Sequence, residues 1–246
     1  MHDALLVAFV TLTFIMAGLV KGVIGLGLPT VAVGLLGLVL PPAQAAALLV
    51  VPSLVTNLWQ CALGARLGAL LRRLWPMLLG IAAGTWAGSG LLADGNGAAS
   101  IALGVTLIVY ATAGLAAPKL HVPPYLEPWL SPLVGAATGV VTAATGVLVI
   151  PAVPYLQALA LDKDELVQAM GLSFTVSTLA LAASLAHEGL FQAPLATASA
   201  LALLPALAGM WLGQRVRNRI RPDRFRLYLF AGLLAVGGHL VLQPLF

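Results

Sequence analysis

The stretch VKGVIGLGLPTV, Val20 to Val31, decides the fold because it interrupts an otherwise almost uniformly apolar N-terminal region. It holds one lysine, three glycines and a proline, the residue types least suited to a lipid-facing helix. Glycines weaken a helix, and Pro29 removes a backbone donor where the next helix would begin. Unwound backbone at membrane depth persists only where protein buries it or where it lines a wet cavity. The stretch therefore predicts a helix–break–helix element that does more than span a membrane.

The composition of the chain is that of a membrane protein. Of its 246 residues, 61% are hydrophobic and 8% are charged, and the mean hydropathy is +1.03. Soluble domains carry about 25% charged residues, whereas apolar runs of about 20 residues, enough to cross a bilayer, recur along this chain. These runs are continuous and do not alternate with polar residues, which excludes a transmembrane β-barrel. We expect an all-α polytopic membrane protein.

Ten apolar segments are predicted along the chain. They cover residues 4–23, 28–40, 43–63, 74–92, 98–117, 129–145, 147–161, 166–186, 193–213 and 225–242. Segments 28–40 and 147–161 are short for a full crossing, and each follows a break rich in glycine or threonine.

The two halves of the chain resemble each other. KGVIGLGLP at residues 21–29 corresponds to TGVVTAATGVLVIP at 138–151, PSLVTN at 52–57 to LSFTVS at 172–177, and GTWAG at 84–88 to GMWLG at 209–213. The three pairs occur in the same order with offsets of 117 to 125 positions. Such a register indicates an internal duplication, with repeats at 1–117 and 130–246 joined by a loop at 118–129.

Basic residues predict that the two repeats are inverted. Those of the first repeat lie between the third and fourth segments, at Arg66, Arg72 and Arg73. Those of the second fall one loop later, at Arg215, Arg217, Arg219, Arg221, Arg224 and Arg226. Because Lys and Arg mark cytoplasmic loops, equivalent loops face opposite sides. With the Lys119 loop also cytoplasmic, residues 4–40 start and end outside and 129–161 start and end inside. Each repeat would be a broken-helix hairpin followed by three transmembrane helices, an arrangement typical of secondary transporters.

The breaks are candidate anion sites. Pro29 near the first turn of a helix leaves free backbone N–H groups, and such a helix start favours anions. In the second repeat, Thr142, Thr145 and Gly146 precede segment 147–161, which Pro151 interrupts. Two such helix starts near one interface would form a neutral backbone site. The alternative is that the small residues serve close helix packing.

Lys21 is the one cation placed deep in the N-terminal segments. It could neutralise a bound anion or pair with a carboxylate. Alternatively, it lies near the cytoplasmic end of its helix and extends its long stem to the headgroups. The sequence leaves these interpretations open.

Polar side chains on the helix after each break could bind oxyanions. Ser53, Thr56, Asn57 and Gln60 share one face of the first such helix, and the matching helix carries Ser173, Thr175, Ser177 and Thr178. The alternative is that they join helices by hydrogen bonds. Asn57 and Gln60 are the stronger candidates, because amides are costlier in lipid.

His187 and Glu188, at the outer end of a span, could titrate during proton coupling or could simply be solvated. The chain has no nucleotide-binding loop, no metal-ligand spacing and no hydrolase motif. Cys61 is the single cysteine, so no disulfide forms within the chain. The net charge of +4 comes without a nucleic-acid recognition pattern. We expect no enzyme activity, no cofactor and no nucleic-acid partner.

The repeated elements, together with PSLVTNLWQ at 52–60 and AMGLSFTVSTLAL at 169–181, resemble the sulfite exporter (TauE/SafE) family of anion permeases over essentially the whole chain. The resemblance implies an inner-membrane transporter with two homologous halves that carries sulfite, organosulfonates such as sulfoacetate, or related small anions. Carried over by position, it points to Lys21, Gly22, Gly25, Gly27, Pro29, Thr30, Asn57, Gln60, Thr145, Gly146, Pro151, Ser173, Ser177 and Thr178. The second half has Thr142 and Ala144 where glycines stand in the first, so unequal half-sites are expected.

The sequence thus predicts a secondary transporter, most readily an exporter, of small anions across a bacterial-type inner membrane. Alternating access would rock one repeat against the other around the paired breaks. Coupling to protons or to the membrane potential is expected, since no nucleotide site exists, and a homo-oligomer is compatible with the pattern. The alternatives are an anion channel and a membrane scaffold subunit that transports nothing.

Overall fold

A computed structural model describes residues 2–92, 97–116, 120–217, 219 and 221–243. Within these ranges the chain forms ten α-helices and no strand. The helices are α1 (His2–Ile24), α2 (Leu28–Leu36), α3 (Pro42–Leu63), α4 (Leu67–Ala87), α5 (Ala98–Ala116), α6 (Glu127–Thr145), α7 (Ala152–Ala158), α8 (Lys163–His187), α9 (Ala193–Val216) and α10 (Pro222–Leu242). Each predicted apolar segment corresponds to one helix. Lys119 and most of the loop at 92–97, both used to orient the chain, lie outside the described residues.

Seven helices in the described part of the chain are long and apolar enough to cross a membrane: α1, α3, α4, α5, α8, α9 and α10. The prediction of an all-α polytopic membrane protein is therefore confirmed. The short helices α2 and α7 follow the two breaks, as expected.

Two predicted boundaries are wrong. The helix predicted at 74–92 runs from Leu67 to Ala87, so Arg72 and Arg73 lie within α4 and not in the preceding loop. Arginine forms helices well, whereas hydropathy alone placed these residues outside. The helix predicted at 147–161 is only α7, and Pro151 precedes it instead of interrupting it.

The most extensive helix contacts follow a symmetric pattern in which α1 to α5 correspond, in order, to α6 to α10. Replacing each helix in one of these contacts by its counterpart gives another contact that is also present. Helix α1 contacts α9 as α4 contacts α6, and α3 contacts α9 as α8 contacts α4. The pairs α3–α8 and α5–α10 each join equivalent helices of the two halves. A two-fold relation between the repeats would produce this pattern, and their inverted orientation stays a prediction.

Glycines explain the close approach of α1 to α9 and of α4 to α6. A Cβ atom on Gly22 would lie 2.2 Å from the carbonyl oxygen of Met210, and one on Gly84 would lie 2.1 Å from that of Ala136. Comparable backbone contacts occur at Gly18, Gly135, Gly139, Gly209 and Gly213. The repeated motifs GTWAG and GMWLG thus contribute packing glycines. Gly22 belongs to this interface and lies within α1, so it is not part of the break.

The arginines of both repeats gather at one end of the helix bundle. Arg66 at the start of α4 and Arg217 at the end of α9 line one cleft. Arg73, two turns further along α4, donates a hydrogen bond of 3.2 Å to the carbonyl oxygen of Leu159. We call this region, marked by Arg66, Arg73 and Arg217, the arginine end. That this end faces the cytoplasm, as the rule for basic residues predicts, stays a prediction.

Candidate anion-binding site

The first break is a three-residue interruption between Ile24 and Leu28. Gly25 and Gly27 have φ angles of +88° and +101°, which residues with a side chain rarely adopt. Helix α2 then begins with Pro29 in its first turn, and no side chain caps this helix start. The backbone is therefore not helical at residues 25–27, and no side chain forms a capping hydrogen bond at the start of α2.

Gln60 holds the break against α3. Its Nε2 donates a hydrogen bond of 2.7 Å to the carbonyl oxygen of Gly25. Its Oε1 is buried and has no hydrogen-bond partner. One end of this amide thus fixes the break, and the other remains free to accept a hydrogen bond.

Lys21 is buried one turn before the break, with 3% of its surface exposed. Its ammonium donates hydrogen bonds to Thr56 Oγ1, at 3.1 Å, and to Asn57 Oδ1. The side chain therefore turns toward α3, and the alternative of extension to the headgroups is not the arrangement found.

No carboxylate neutralises Lys21 within the described residues. It is the only charged side chain among the buried residues there. The ion pairs of that part of the chain join Arg66 to Glu165 and Arg73 to Glu127. A buried ammonium is held here by neutral groups alone.

A line of polar side chains continues from Asn57 into α8. Asn57 Nδ2 donates to Ser53 Oγ at 3.0 Å, and Ser53 Oγ lies 3.0 Å from Thr178 Oγ1. Thr178 Oγ1 also donates to the carbonyl oxygen of Phe174. The structure thus brings Lys21, Asn57 and Thr178 into one buried network across three helices.

Four buried side-chain atoms in the described residues lack a hydrogen-bond partner. They are Thr30 Oγ1, Gln60 Oε1, Ser173 Oγ and Ser177 Oγ. Each belongs to a predicted site residue. Because an unpaired buried polar atom costs about 1–3 kcal/mol, such a group usually serves a ligand or an ordered water.

The polar side chains of the second break form hydrogen bonds with the neighbouring backbone. Thr145 Oγ1 donates to the carbonyl oxygen of Val141 at 2.7 Å and accepts the N–H of Val147 at 3.1 Å. Gly146, with a φ of +72°, caps the end of α6, and residues 145–149 are buried. This break has no polar side chain left to offer, which agrees with the expectation of unequal half-sites.

The two breaks do not meet. A Cβ on Gly146 would lie 3.1 Å from the Cβ of Ala46, near the start of α3, whereas Gly25 is bonded to Gln60 near its end. These contacts are fourteen residues apart on α3, or about 21 Å at the helical rise per residue. The arrangement of two helix starts around one site is therefore not found, and the polar groups collect at the first break.

The counterpart of Lys21 in the second repeat is Thr138, which bonds to the carbonyl oxygen of Val134 in its own helix. His187 and Glu188 lie at the end of α8 away from the arginine end, and the His187 ring is 5.2 Å from that of Trp86. The structure does not bring this pair to the first break.

Sequence reasoning missed Gln168, a buried residue of α8. Its Nε2 donates to the carbonyl oxygens of Cys61 and Gly64, at 2.7 Å each, and its Oε1 accepts the N–H of Arg66. Gln168 thereby satisfies the end of α3 just beyond Gln60. Its polarity within an apolar segment was the signal that could have identified it.

Comparison with known proteins supports one family. The family model for the sulfite exporter TauE/SafE matches residues 10–240. Searches of curated proteins and of solved structures gave no match. The family match spans both breaks, the α3–α8 network and all seven candidate membrane-spanning helices. The chain therefore belongs to the sulfite exporter TauE/SafE family.

Proposed function

We propose that this protein is a secondary transporter that exports sulfite, an organosulfonate such as sulfoacetate, or a related small carboxylate across a bacterial inner membrane. The observation that carries the proposal is the buried Lys21 ammonium without a carboxylate partner. Membership of a family of membrane anion exporters supports the transport role and supplies the sulfur chemistry.

The geometry around Lys21 favours an anion as its missing partner. An ammonium has three N–H donors, and Thr56 and Asn57 accept two of them. A buried charge is stable when an opposite charge and further hydrogen bonds compensate for its lost hydration. An anion at the third donor would supply that charge within reach of the first break.

The groups around the break suit an oxyanion. The uncapped start of α2 offers backbone N–H groups, and the Thr30 hydroxyl in its first turn has no partner. Ser173 and Ser177 on α8 have two further unpaired hydroxyls, but they lie on the face of α8 opposite Gly171 and Thr175, which contact α3, so we do not assign them to this site. We infer alternating access from the broken helices, and we infer coupling to protons or to the membrane potential because the sequence has no nucleotide-binding loop.

The test uses purified protein in liposomes loaded with radiolabelled sulfite. We expect wild-type protein to release sulfite and to be accelerated by unlabelled sulfite on the opposite side, as a carrier is and a channel is not. Lys21→Met should abolish both transport and the rise in melting temperature that sulfite causes in the wild type.

Lys163→Met is the matched control, because Lys163 is exposed at the start of α8 and should be dispensable. Equal sulfite transport by wild-type and Lys21→Met protein would refute the assigned site. A wild-type protein that moves neither sulfite nor sulfonates nor short carboxylates would favour a scaffold role.

A further inference from the structure

A cavity of about 490 Å³ lies between the first break and helices α5, α7 and α10. Its walls combine apolar side chains with a phenol and a guanidinium, from Ile24, Leu26, Tyr110, Val153, Arg226 and Phe230. Apart from Leu26, which lies within the first break, none of these residues belongs to the candidate site described above.

The cavity reaches the first break directly. Ile24 and Leu26 flank Gly25, whose carbonyl oxygen accepts the hydrogen bond from Gln60. Residues 24–26 are partly exposed, whereas residues 145–149 of the second break are buried. A solute in the cavity is thus separated from the Lys21 network by little more than the break itself.

The charge of the cavity suits an anion. Arg226 is the only charged residue among the described residues that line it. Its guanidinium donates to the carbonyl oxygen of Gly114 and lies 5.9 Å from the centre of the Phe230 ring. These contacts place a fixed positive charge on the wall of the cavity.

A second cleft at the same end of the bundle lacks this character. Its charged lining is three cations, Arg66, Lys163 and Arg217, and three carboxylates, Asp162, Asp164 and Glu165. The carboxylates would repel an anion about as strongly as the cations attract it. The cavity at Arg226 is the more favourable approach.

We propose that this cavity is the mouth through which the anion passes between the arginine end and the first break, with Arg226 as its first contact. The proposal rests on the proposed function and adds the route to the site. A cleft lined by one sign of charge raises the local concentration of its counter-ion. Arg226 is exposed at the start of α10, where the solvated anion would arrive.

The first experiment maps access with a single cysteine. Cys61, the only cysteine, is replaced by alanine, and Ala113→Cys is introduced in the cavity wall on α5. Lys163→Cys is the control, because Lys163 is exposed at the start of α8, at the arginine end, and does not line the cavity. The reagent is a membrane-impermeant sulfonated maleimide, whose thioether product resists sulfite, and excess reagent is removed before transport is measured.

We expect the Ala113→Cys thiol to react from the arginine side only, and the modified protein to lose most of its sulfite transport. Modified Lys163→Cys should transport normally. If Ala113→Cys reacts from neither side, or if the modified protein transports fully, the cavity is not the entrance to the site. The proposed function would not be affected by that result. If the wild type and the Cys61→Ala protein transport neither sulfite nor sulfonates nor short carboxylates, the proposed function itself is overturned.

The second experiment changes the charge of the cavity. Arg226→Gln should lower sulfite transport at low sulfite and low ionic strength about tenfold, the lower end of the effect of electrostatic steering. Its maximal rate should be unchanged, its dependence on salt should weaken, and Arg226→Lys should restore most of the loss. Arg224→Gln, an exposed arginine on the same helix that does not line the cavity, is the control. Equal behaviour of Arg226→Gln and Arg224→Gln would contradict the role of Arg226.

Discussion

The Lys21 ammonium donates a hydrogen bond to the side-chain oxygen of Asn57, and so ties the last turn of α1 to the middle of α3. Asn57 in turn donates to Ser53. A large movement of α1 relative to α3 would break the bond at the cation. Lys21 therefore holds two helices together, and in the proposed function substrate binding and helix position would depend on the same contact.

Replacing Asn57 should test this double role. Asn57→Leu leaves the ammonium with Thr56 alone, and the lost charged hydrogen bond should lower the free energy of unfolding by about 2 kcal/mol. Adding Lys21→Met should recover much of that loss, since no unpaired charge then remains. Denaturant unfolding of the two single variants and the double variant in detergent measures the coupling. Strictly additive effects would show that the two side chains are not coupled.

Gly25 should be needed for the shape of the break. A Cβ at this position meets no atom within 4 Å, so Gly25→Ala acts through the φ of +88° alone. The left-handed conformation costs a residue with a side chain about 1–2 kcal/mol, and we expect the break to relax and sulfite transport to fall. Gly189→Ala is the control, because Gly189 has a φ of +69°, equal free space and a position outside the site. If both variants lose transport equally, stability and not the break explains the loss.

Glycines in helix–helix contacts should tolerate replacement by alanine far less well than exposed glycines. Gly22→Ala would place a Cβ 2.2 Å from the backbone of α9, and we expect a loss of about 2 kcal/mol or more. Gly232→Ala, on α10 with nothing within 4 Å, should instead gain up to about 1 kcal/mol from helix propensity. Melting temperatures of the two variants compare them directly. A Gly22→Ala protein as stable as Gly232→Ala would mean that α1 and α9 are not in close contact.

Arg73 should stabilise the hairpin of α6 and α7 where the start of α6 and the end of α7 meet. It forms two hydrogen bonds with Glu127, of 2.7 and 2.9 Å, and a third with the carbonyl oxygen of Leu159. Arg73→Lys cannot keep this geometry, but the pair is partly exposed, so we expect a loss of only about 0.5–1 kcal/mol. Arg72→Lys, at the exposed neighbouring position, should have no effect. Chemical denaturation distinguishes them, and equal stability would assign no role to the contact.

Much of the fold followed from local sequence patterns. Hydropathy predicted the ten segments, and glycines with a proline placed the break within residues 22–29, of which the structure makes 25–27 the interruption, because these residues act on their own backbone. The start of α4 was misplaced because arginine is unfavourable in lipid yet favourable in a helix. The length of α7 was overestimated because the extended run at 147–149 is as apolar as a helix.

The candidate site was predicted as a set of residues but not as an arrangement. Amides and hydroxyls in apolar segments made Asn57, Gln60, Ser173 and Ser177 candidates, and the structure buries all four side chains; their role in binding stays a prediction. The direction of the Lys21 side chain depends on Thr56 and Asn57, 35 and 36 residues away, and no local pattern encodes it. The separation of the breaks depends on where each contacts α3, which is likewise a tertiary property.

The glycine contacts also constrain how the protein can move. At Gly22 and Gly213 the backbone of α1 lies directly against that of α9, and at Gly84 the backbone of α4 lies directly against that of α6. Glycine has no side chain that could keep the helices in contact if they separated. Each of these two helix pairs joins a helix of the first repeat to a helix of the second. A motion that moved residues 1–117 away from residues 130–246 would therefore separate both pairs. In the proposed transport cycle, each rigid body would therefore combine helices from both halves of the sequence, with α1 moving together with α9 and α4 together with α6.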